Sequence, residues 1–178
     1  QLATAAKQRG YSAMVMADDG VMYGAVEFYQ AALAVGVKPV LGLRLSLAIG
    51  DVGGNTLPTL FIAQNLTGYQ HLMILSSVQQ TQDQPHPLTV QEIHAFLGDL
   101  FVVVLPTDNV GLAAGNSGSV EMLATLRQVV DTEHLLMGIN PQINQVLKAT
   151  VSQVADHYQR PLVAASTVRY LAPQDRFA

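Results

Sequence analysis

Short apolar runs alternate along the chain with stretches of helical periodicity. Ala13–Met16 is a short apolar run, and the turn-forming sequence Asp18-Asp19-Gly20 ends it. From Ala25 onward, apolar residues recur at positions 25, 28, 29, 32 and 33, which is the spacing of an amphipathic helix. Gly36 is placed to end that helix as a C-cap. The pattern therefore predicts a strand, a turn and a helix at the start of the chain.

The same alternation continues through the rest of the sequence. Five further apolar runs predict strands at Pro39–Leu47, Leu57–Ala63, Leu100–Leu105, His134–Ile139 and Leu162–Ala165. Helical periods separate most of them, and Thr89 and Glu92 have the spacing of a capping box at a helix start. About six strands, each followed by a helix or a loop, predict an α/β protein with a parallel sheet and helical crossovers. An open doubly wound sheet and a barrel of seven or eight units both fit this pattern.

Composition narrows the class of protein. The 178 residues allow one domain or little more, and they include 9 Lys and Arg against 13 Asp and Glu, a net charge of -4. The absence of cysteine excludes a disulfide scaffold, a cysteine-ligated metal site and a thiol nucleophile. An acidic balance argues against a non-specific nucleic-acid binder.

No apolar run reaches the roughly 18 residues that a membrane span needs, so we predict no membrane contact and a cytoplasmic location. A chain that starts without methionine and inside a predicted helix suggests a piece of a longer protein.

Few residues form a pattern that points to chemistry. The five histidines are scattered, and none occurs as H-x-H or H-x-x-x-H. The glycine-rich segments at 50–55 and 111–118 match neither a dinucleotide fingerprint nor a P-loop, and 115–119 misses the nucleophile elbow by one position. We interpret these histidines as surface or capped residues and these glycines as loops.

Asp18-Asp19-Gly20 is the one suggestive carboxylate pair. It follows a predicted strand directly, at the edge where α/β proteins place their chemistry. The two carboxylates could bind one divalent cation, but an Asp-Gly turn with an aspartate capping the next helix is the simpler reading. Arg44, Arg169 and Arg176 also lie at or just beyond strand ends, where they could hold a phosphate or pair with the two aspartates.

Five further segments, in order and spaced over most of the chain, form a recognisable set: Ala17–Gly20 (ADDG), Tyr23–Tyr29 (YGAVEFY), Gly36–Gly42 (GVKPVLG), Leu60–Leu72 (LFIAQNLTGYQHL) and Pro161–Leu171 (PLVAASTVRYL). Together they resemble the PHP (polymerase and histidinol phosphatase) domain of bacterial DNA polymerase III alpha subunits. The corresponding family patterns are T-D-H-G, Y-G-A-x-E-F-Y, G-I-K-P-I-x-G, L-L-A-x-N-x-x-G-Y-x-N-L and P-x-V-A-T-N-D-V-H-Y-L. Residues 81–134 match only in the order of strands and helices.

The resemblance implies a PHP-type TIM-like barrel with seven β/α units. Its first strand carries an H-x-H motif in the family, so that strand is expected upstream of Gln1 and the chain is predicted to be a fragment lacking it. Active members hold up to three metal ions and hydrolyse phosphoesters, an activity understood in the polymerase as exonuclease or pyrophosphatase.

The chain departs from the family at the positions that hold metal. These degenerate positions are Asp18, Asp19, Arg44, Pro58, Met137, Thr167 and Arg169. Asp18 alone keeps the family residue, and it is chiefly a neighbour of a ligand. Arginines at two ligand positions would repel divalent cations, and the lost imidazoles and carboxylates are the donors those cations need. We therefore predict no metal, no catalytic residue, and a cluster of ion pairs between Arg44, Arg169 and the two aspartates.

These expectations combine into one functional prediction. Residues 1–178 form a single PHP domain, truncated at both ends, of a bacterial replicative polymerase. The parent enzyme would use Mg²⁺ on aspartates beyond Ala178, whereas this domain would need no cofactor. Its partners would be the remaining polymerase domains and a proofreading exonuclease subunit, with DNA contacted only through the parent. The alternatives are an active metal-dependent phosphoesterase and a stand-alone barrel that binds a small molecule or a partner.

Overall fold

The computed structural model describes residues 1–49, 56–105, 117–140 and 145–166. Within them the chain forms α1 (Leu2–Gln8), β1 (Ala13–Asp19), α2 (Ala25–Ala34), β2 (Lys38–Ala48), β3 (Thr56–Ala63), α3 (Leu66–Gln80), α4 (Val90–Ile93) with a 3₁₀ turn (His94–Phe96), β4 (Leu100–Val104), α5 (Ser117–Val129), β5 (Leu135–Ile139), α6 (Gln145–His157) and β6 (Leu162–Ala164). The six predicted strands are confirmed within a few residues at their ends.

The six strands form one sheet in chain order, β1 to β6. β1 and β2 are parallel, as are β4, β5 and β6, but β3 is antiparallel to both of its neighbours. The prediction of an all-parallel sheet is therefore wrong at β3. Only residues 49–55 separate β2 from β3, and a parallel connection needs a crossover of about a dozen residues or more. In the described residues, β1 and β6 each pair with a single strand.

Two edges of the sheet are used below as reference points. At the carboxyl edge the five co-directional strands end and β3 begins, and the amino edge is the opposite one. α3 runs from the amino edge, where Gln64 N donates to Asp99 O at 3.0 Å, to the carboxyl edge, where Ser76 Oγ donates to Gly20 O at 3.0 Å. The segment after α3 returns to the amino edge, so β4 enters the sheet there. This return explains how β4 lies antiparallel to β3 despite an intervening helix.

The two faces of the sheet have different neighbours. Alternate residues of β2 and β3, including Leu43, Leu45 and Phe61, are fully or almost fully buried in one cluster with side chains of the helices. Leu72 and Leu75 of α3 belong to this cluster. We call this side of the sheet the helix face and the other side the second face. Because strand residues alternate between faces, register alone assigns every strand position to one of the two.

Candidate functional site

β1 continues through both aspartates instead of ending before them. It pairs in parallel register with β2 from Ala13, opposite Lys38, to Asp19, opposite Arg44. Gly20 N then donates to Arg44 O at 2.9 Å, and Gly20 has a positive φ of 72° that suits glycine. The turn therefore begins at Gly20, and the two aspartates are the last residues of the strand.

The two aspartates consequently lie on opposite faces of the sheet. Asp19 is in register with Arg44 on the second face, whereas Asp18 is in register with Leu43 on the helix face. Asp18 Oδ2 also lies 3.9 Å from the point that a Cβ would occupy at Gly24, the residue before α2. Consecutive strand carboxylates on opposite faces do not converge on one cation.

Asp19 and Arg44 form an ion pair at the carboxyl edge. Arg44 Nε lies 3.4 Å from Asp19 Oδ1, and the two side chains are 28% and 74% exposed. The separation is longer than the roughly 2.7–2.9 Å of a strong charge-assisted hydrogen bond. An exposed pair of this kind adds about 0–1 kcal/mol to stability. The main consequence of the pair is that the positive Arg44 guanidinium stands at the carboxyl edge, where the Asp19 carboxylate balances its charge.

A pocket of about 320 Å³ opens beside this pair. It is lined by Asp19, Gly20, Arg44, Leu45, Ser46, Gln79 and Pro87. Gly20 O accepts hydrogen bonds from Ser76 Oγ at 3.0 Å and Gln80 Nε2 at 3.2 Å, so the last turn of α3 holds one wall. The polar side-chain groups that line the pocket are a carboxylate (Asp19), a guanidinium (Arg44), a hydroxyl (Ser46) and an amide (Gln79). These groups suit hydrogen bonding better than metal ligation.

The last turn of α3 is the part of this pocket that sequence reasoning missed. The polar composition of residues 79–87 and their prolines predict a loop. In the structure, α3 extends to Gln80 and brings Ser76, Gln79 and Gln80 to the pocket region. The only sequence signal is the polar character of these side chains, which does not distinguish a helix end from a loop.

The remaining predicted site positions separate into three groups. Pro58, the third residue of β3, lies opposite Ser46 on the same face and edge as Arg44, and its carbonyl accepts from Leu105 N at 2.8 Å. Met137 is fully buried in register with Val104 on the helix face, so the structure does not bring it to Arg44. Thr167 and Arg169 lie outside the described residues, and with them the Arg169 half of the predicted ion-pair cluster.

The described residues do not fit a divalent metal. Within residues 1–49, 56–105, 117–140 and 145–166, no three His, Cys, Asp or Glu side chains are grouped so that they could hold a metal ion. At the pocket, Asp19 is the one carboxylate in the lining and Arg44 already faces it. A divalent cation there would lack ligands and would be repelled by the guanidinium.

Comparison with known protein families identifies the family of this chain. Residues 1–159 match the family model of the PHP domain. The chain therefore belongs to the PHP domain family.

The relatives by sequence are polymerase subunits. The chain is 27% identical over 192 residues to the DNA polymerase III subunit alpha of Bacillus subtilis (strain 168), covering 100% of this chain and 16% of that protein. It is 34% identical over 100 residues to the subunit of the same name from Halalkalibacterium halodurans, covering 56% of this chain and 9% of that protein. The chain thus spans a small part of the length of these relatives.

Two solved structures share the fold. One is a protein from Bifidobacterium adolescentis named as a metal-dependent phosphoesterase, with a TM-score of 0.67 and 11% identity over 93% of this chain and 80% of that one. The other is an amidohydrolase from Chromobacterium violaceum with bound sulfate and no metal, with a TM-score of 0.64 and 8% identity over 98% of this chain and 82% of that one. The fold is therefore that of the PHP-type barrels, as the sequence predicted. Among the described residues, no helix is both long enough and apolar enough to cross a membrane.

Proposed function

We propose that this chain is a non-catalytic, metal-free PHP domain of a bacterial replicative DNA polymerase. The observation that carries the proposal is the Asp19–Arg44 ion pair, in which a guanidinium stands at the carboxyl edge on the second face. Catalytic groups of α/β barrels lie at this edge, so a guanidinium here would repel a catalytic metal ion. This repulsion and the changed residues at the predicted ligand positions both make metal-dependent hydrolysis unfavourable.

The parent activity is part of the same proposal. The two relatives described above, from Bacillus subtilis and Halalkalibacterium halodurans, are both named DNA polymerase III subunit alpha. In such a parent, template-directed DNA synthesis with Mg²⁺ would depend on residues outside 1–178, and residues 1–178 would be one domain of the larger chain. The net charge of -4 agrees with a domain that leaves DNA contact to other parts of the parent. We place the protein in the cytoplasm, where bacterial replication takes place.

A docking role is supported by an exposed apolar stripe on α2. Val26, Tyr29 and Leu33 share one side of this helix, and Tyr23 just before it is 88% exposed. α2 buries the side next to this stripe through Ala25 and Ala32. Contiguous exposed apolar surface of this kind marks interaction sites in folded proteins. We propose that this stripe contacts the remaining polymerase domains, and that a proofreading exonuclease subunit docks on the PHP domain.

The second candidate function is an active metal-dependent phosphoesterase. It is favoured by the placement of Asp18 and Asp19 at the carboxyl edge and by a structural neighbour named as an enzyme of this class. In this alternative, Asp19 would ligate metal and Arg44 would bind the substrate phosphate.

Metal content and phosphodiester hydrolysis discriminate between the two candidates. The purified protein is incubated with Mn²⁺, desalted, and examined by elemental analysis and by hydrolysis of a chromogenic phosphodiester. Our proposal expects no stoichiometric metal, and the same background hydrolysis for the wild type and the Asp19→Asn variant. Stoichiometric metal together with turnover that Asp19→Asn removes would establish the phosphoesterase instead.

The docking role is tested separately in the full-length protein. Tyr23→Ser combined with Leu33→Ser should increase proteolytic cleavage between this domain and the rest of the chain. Val146→Ser is the matched control, because Val146 is 78% exposed on α6, away from α2. Equal cleavage of both variants would contradict a contact through α2.

A further inference from the structure

β2 extends past the end of β1 at the carboxyl edge, and a second segment takes the place of β1 beside it. The contact between β1 and β2 ends where Gly20 N donates to Arg44 O at 2.9 Å. Further along β2, Ala48 N donates to the carbonyl of the fully buried Leu88 at 2.9 Å, and Leu47 and Leu88 form a parallel bridge. The β1 side of β2 is therefore occupied twice, with a gap between Gly20 and Leu88.

Ser46 is the residue of β2 that faces this gap. Main-chain groups of a strand point alternately to its two sides, so Ser46 N and O lie on the same side as Arg44 O and Ala48 N. On the other side, Ser46 is opposite Pro58, whose carbonyl accepts from Leu105 N at 2.8 Å and therefore faces β4. The main chain of Ser46 is thus directed away from β3 and into the gap.

The main-chain N–H of Ser46 has no main-chain acceptor at either end of the gap. In the part of the chain that the structure describes, neither Gly20 O nor Leu88 O accepts from it. Gly20 O instead accepts from Ser76 Oγ at 3.0 Å and Gln80 Nε2 at 3.2 Å. The pocket of about 320 Å³ lies at this gap, since Gly20 and Ser46 both line it. A strand donor is therefore directed at the pocket.

Arg44 adds a second donor group to the same pocket. Its Nε lies 3.4 Å from Asp19 Oδ1, and this one long contact uses little of the capacity of a guanidinium with five N–H donors. The Asp19 side chain is 74% exposed, so it can turn into solvent at small cost. The pocket therefore offers a main-chain N–H and a guanidinium to an acceptor that competes with Asp19.

We propose that this gap binds the carboxylate group of a small organic acid. The two carboxylate oxygens match the paired donors of Arg44, and one of them also accepts from Ser46 N. The gap spans two residues of β2, roughly 7 Å, which holds one planar group but not another strand. A phosphate carries more negative charge and would be repelled more strongly by Asp19. Leu45 and Pro87 in the lining contact the apolar body of the acid.

The inference rests on the proposed function in one respect, the absence of a metal ion at Asp19. Titrations therefore contain EDTA, and a parallel set contains Mn²⁺. Binding that is the same in both sets supports both proposals. Binding that Mn²⁺ abolishes, together with stoichiometric metal, would contradict the proposed function alone. No binding in EDTA by protein that takes up no metal would contradict the carboxylate site alone.

The probe is isovalerate, titrated into the purified protein against chloride at equal ionic strength and followed by amide NMR shifts. We expect saturable shifts at Gly20 and Ser46. Isovaleramide has the same shape without the charge and should bind about tenfold more weakly or less. Inorganic phosphate should also bind more weakly than isovalerate. Shifts that do not saturate, equal binding of the acid and the amide, or tighter binding of phosphate would each overturn the proposal.

The same group could come from a free acid or from the C-terminus of a peptide. N-acetyl-leucine presents its carboxylate as a peptide C-terminus does, so a second titration distinguishes the two sources. Binding tighter than that of isovalerate would identify a peptide terminus as the ligand. Equal or weaker binding would identify a free acid.

Variants test the role of each group. Arg44→Gln should weaken isovalerate binding by about tenfold or more, because it removes the charged donors. Lys38→Gln is the matched control, because it removes an exposed positive charge at the other end of the same strand and should change binding by less than about twofold. Ser46→Ala keeps the main-chain N–H and should bind like the wild type. Asp19→Asn removes the competing carboxylate and should strengthen binding.

Three results would contradict these roles. Equal losses in Arg44→Gln and Lys38→Gln would show that only overall charge matters. Loss of binding in Ser46→Ala would exclude the main-chain N–H as the donor. Weaker binding in Asp19→Asn would mean that Asp19 holds the ligand instead of competing with it.

Discussion

The two ends of α3 are held to the sheet in different ways. At the amino edge, Asn65 Oδ1 accepts from Gly68 N at 3.0 Å and Asn65 Nδ2 donates to Asp99 Oδ1 at 2.7 Å. A Cβ at Gly68 would clash with the Asp99 carbonyl. At the carboxyl edge, by contrast, the contacts to Gly20 O come from the side chains of Ser76 and Gln80 beside an open pocket.

This difference means that the contacts that define the fold and the residues of the candidate site lie at opposite ends of α3. The amino end of α3 rests on close backbone approach, which tolerates little change because protein interiors are tightly packed. The carboxyl end rests on exposed or half-exposed side chains, which can be exchanged at small cost. The loss of metal ligands that we propose at the carboxyl edge would therefore leave the fold intact, because the amino edge defines it. Four predictions test this comparison.

The largest effect is expected from Gly68→Ala at the amino end of α3. The new Cβ would overlap the Asp99 carbonyl, and overpacking of this kind costs about 3 kcal/mol. Urea unfolding measures the change in free energy. Gly98→Ala is the matched control, because the nearest atom to its Cβ would be His71 Cε1 at 3.9 Å, and it should be close to neutral. Equal losses in both variants would contradict a specific backbone contact.

Asn65→Ala should have the next largest effect. It removes the cap of α3 and the bond to Asp99, so we expect a loss of about 1–2 kcal/mol in the free energy of unfolding. Ser76→Ala removes one hydrogen bond to Gly20 O at the other end and should cost about 0.5–1 kcal/mol. Thermal and urea unfolding of the two variants compare the ends directly. A larger loss in Ser76→Ala would reverse the comparison.

Glu92→Gln tests the carboxyl edge through its pH dependence. Thr89 N donates to Glu92 Oε2 at 2.7 Å and Thr89 Oγ1 donates to the same oxygen at 2.8 Å. The backbone bond from Thr89 is the largest cause that holds the pKa of Glu92 below its ordinary value, and the Thr89 hydroxyl and His86 act in the same direction against the effect of burial. A carboxylate whose folded pKa is depressed stabilises the fold above the unfolded pKa, and this stabilisation is lost as the pH falls through the folded pKa.

Glu92→Gln should therefore cost about 0.5–1 kcal/mol at neutral pH, consistent with the loss of one side of a capping box. The difference from the wild type should shrink as the pH falls below the ordinary pKa of a glutamate and through the lowered pKa of Glu92, where the carboxylate becomes protonated. Glu133→Gln, an exposed carboxylate, should show no such trend. A pH-independent loss in Glu92→Gln would mean that the charge of Glu92 is not what stabilises the cap.

The smallest effect is expected for the Asp19–Arg44 pair. A double-mutant cycle with Asp19→Asn and Arg44→Gln should give a coupling energy of about 1 kcal/mol or less, because the pair is long and exposed. Added salt should reduce this coupling further. A coupling energy of several kcal/mol would mean that this pair stabilises the fold strongly. It would contradict the conclusion that contacts at the carboxyl edge contribute little to fold stability.

Local sequence patterns predicted individual elements well. The predicted helix α2, the positive φ of 70° at Gly36 directly after its C-cap Val35, and the Thr89–Glu92 capping box all occur. These features depend on interactions within a few residues, so the sequence carries their cause directly. The direction of β3 was not predicted, because it depends on which strands become neighbours across the sheet.

The candidate site shows the same division between what local sequence and what strand pairing decides. The sequence by itself determined which residue types stand at the positions predicted to correspond to the family's metal ligands, including the arginine at 44 and the methionine at 137. Only the tertiary structure decided that Asp19 meets Arg44 while Asp18 and Met137 lie on the helix face. The reason is that strand register is set by pairing with distant residues, and a shift of one position moves every side chain to the other face.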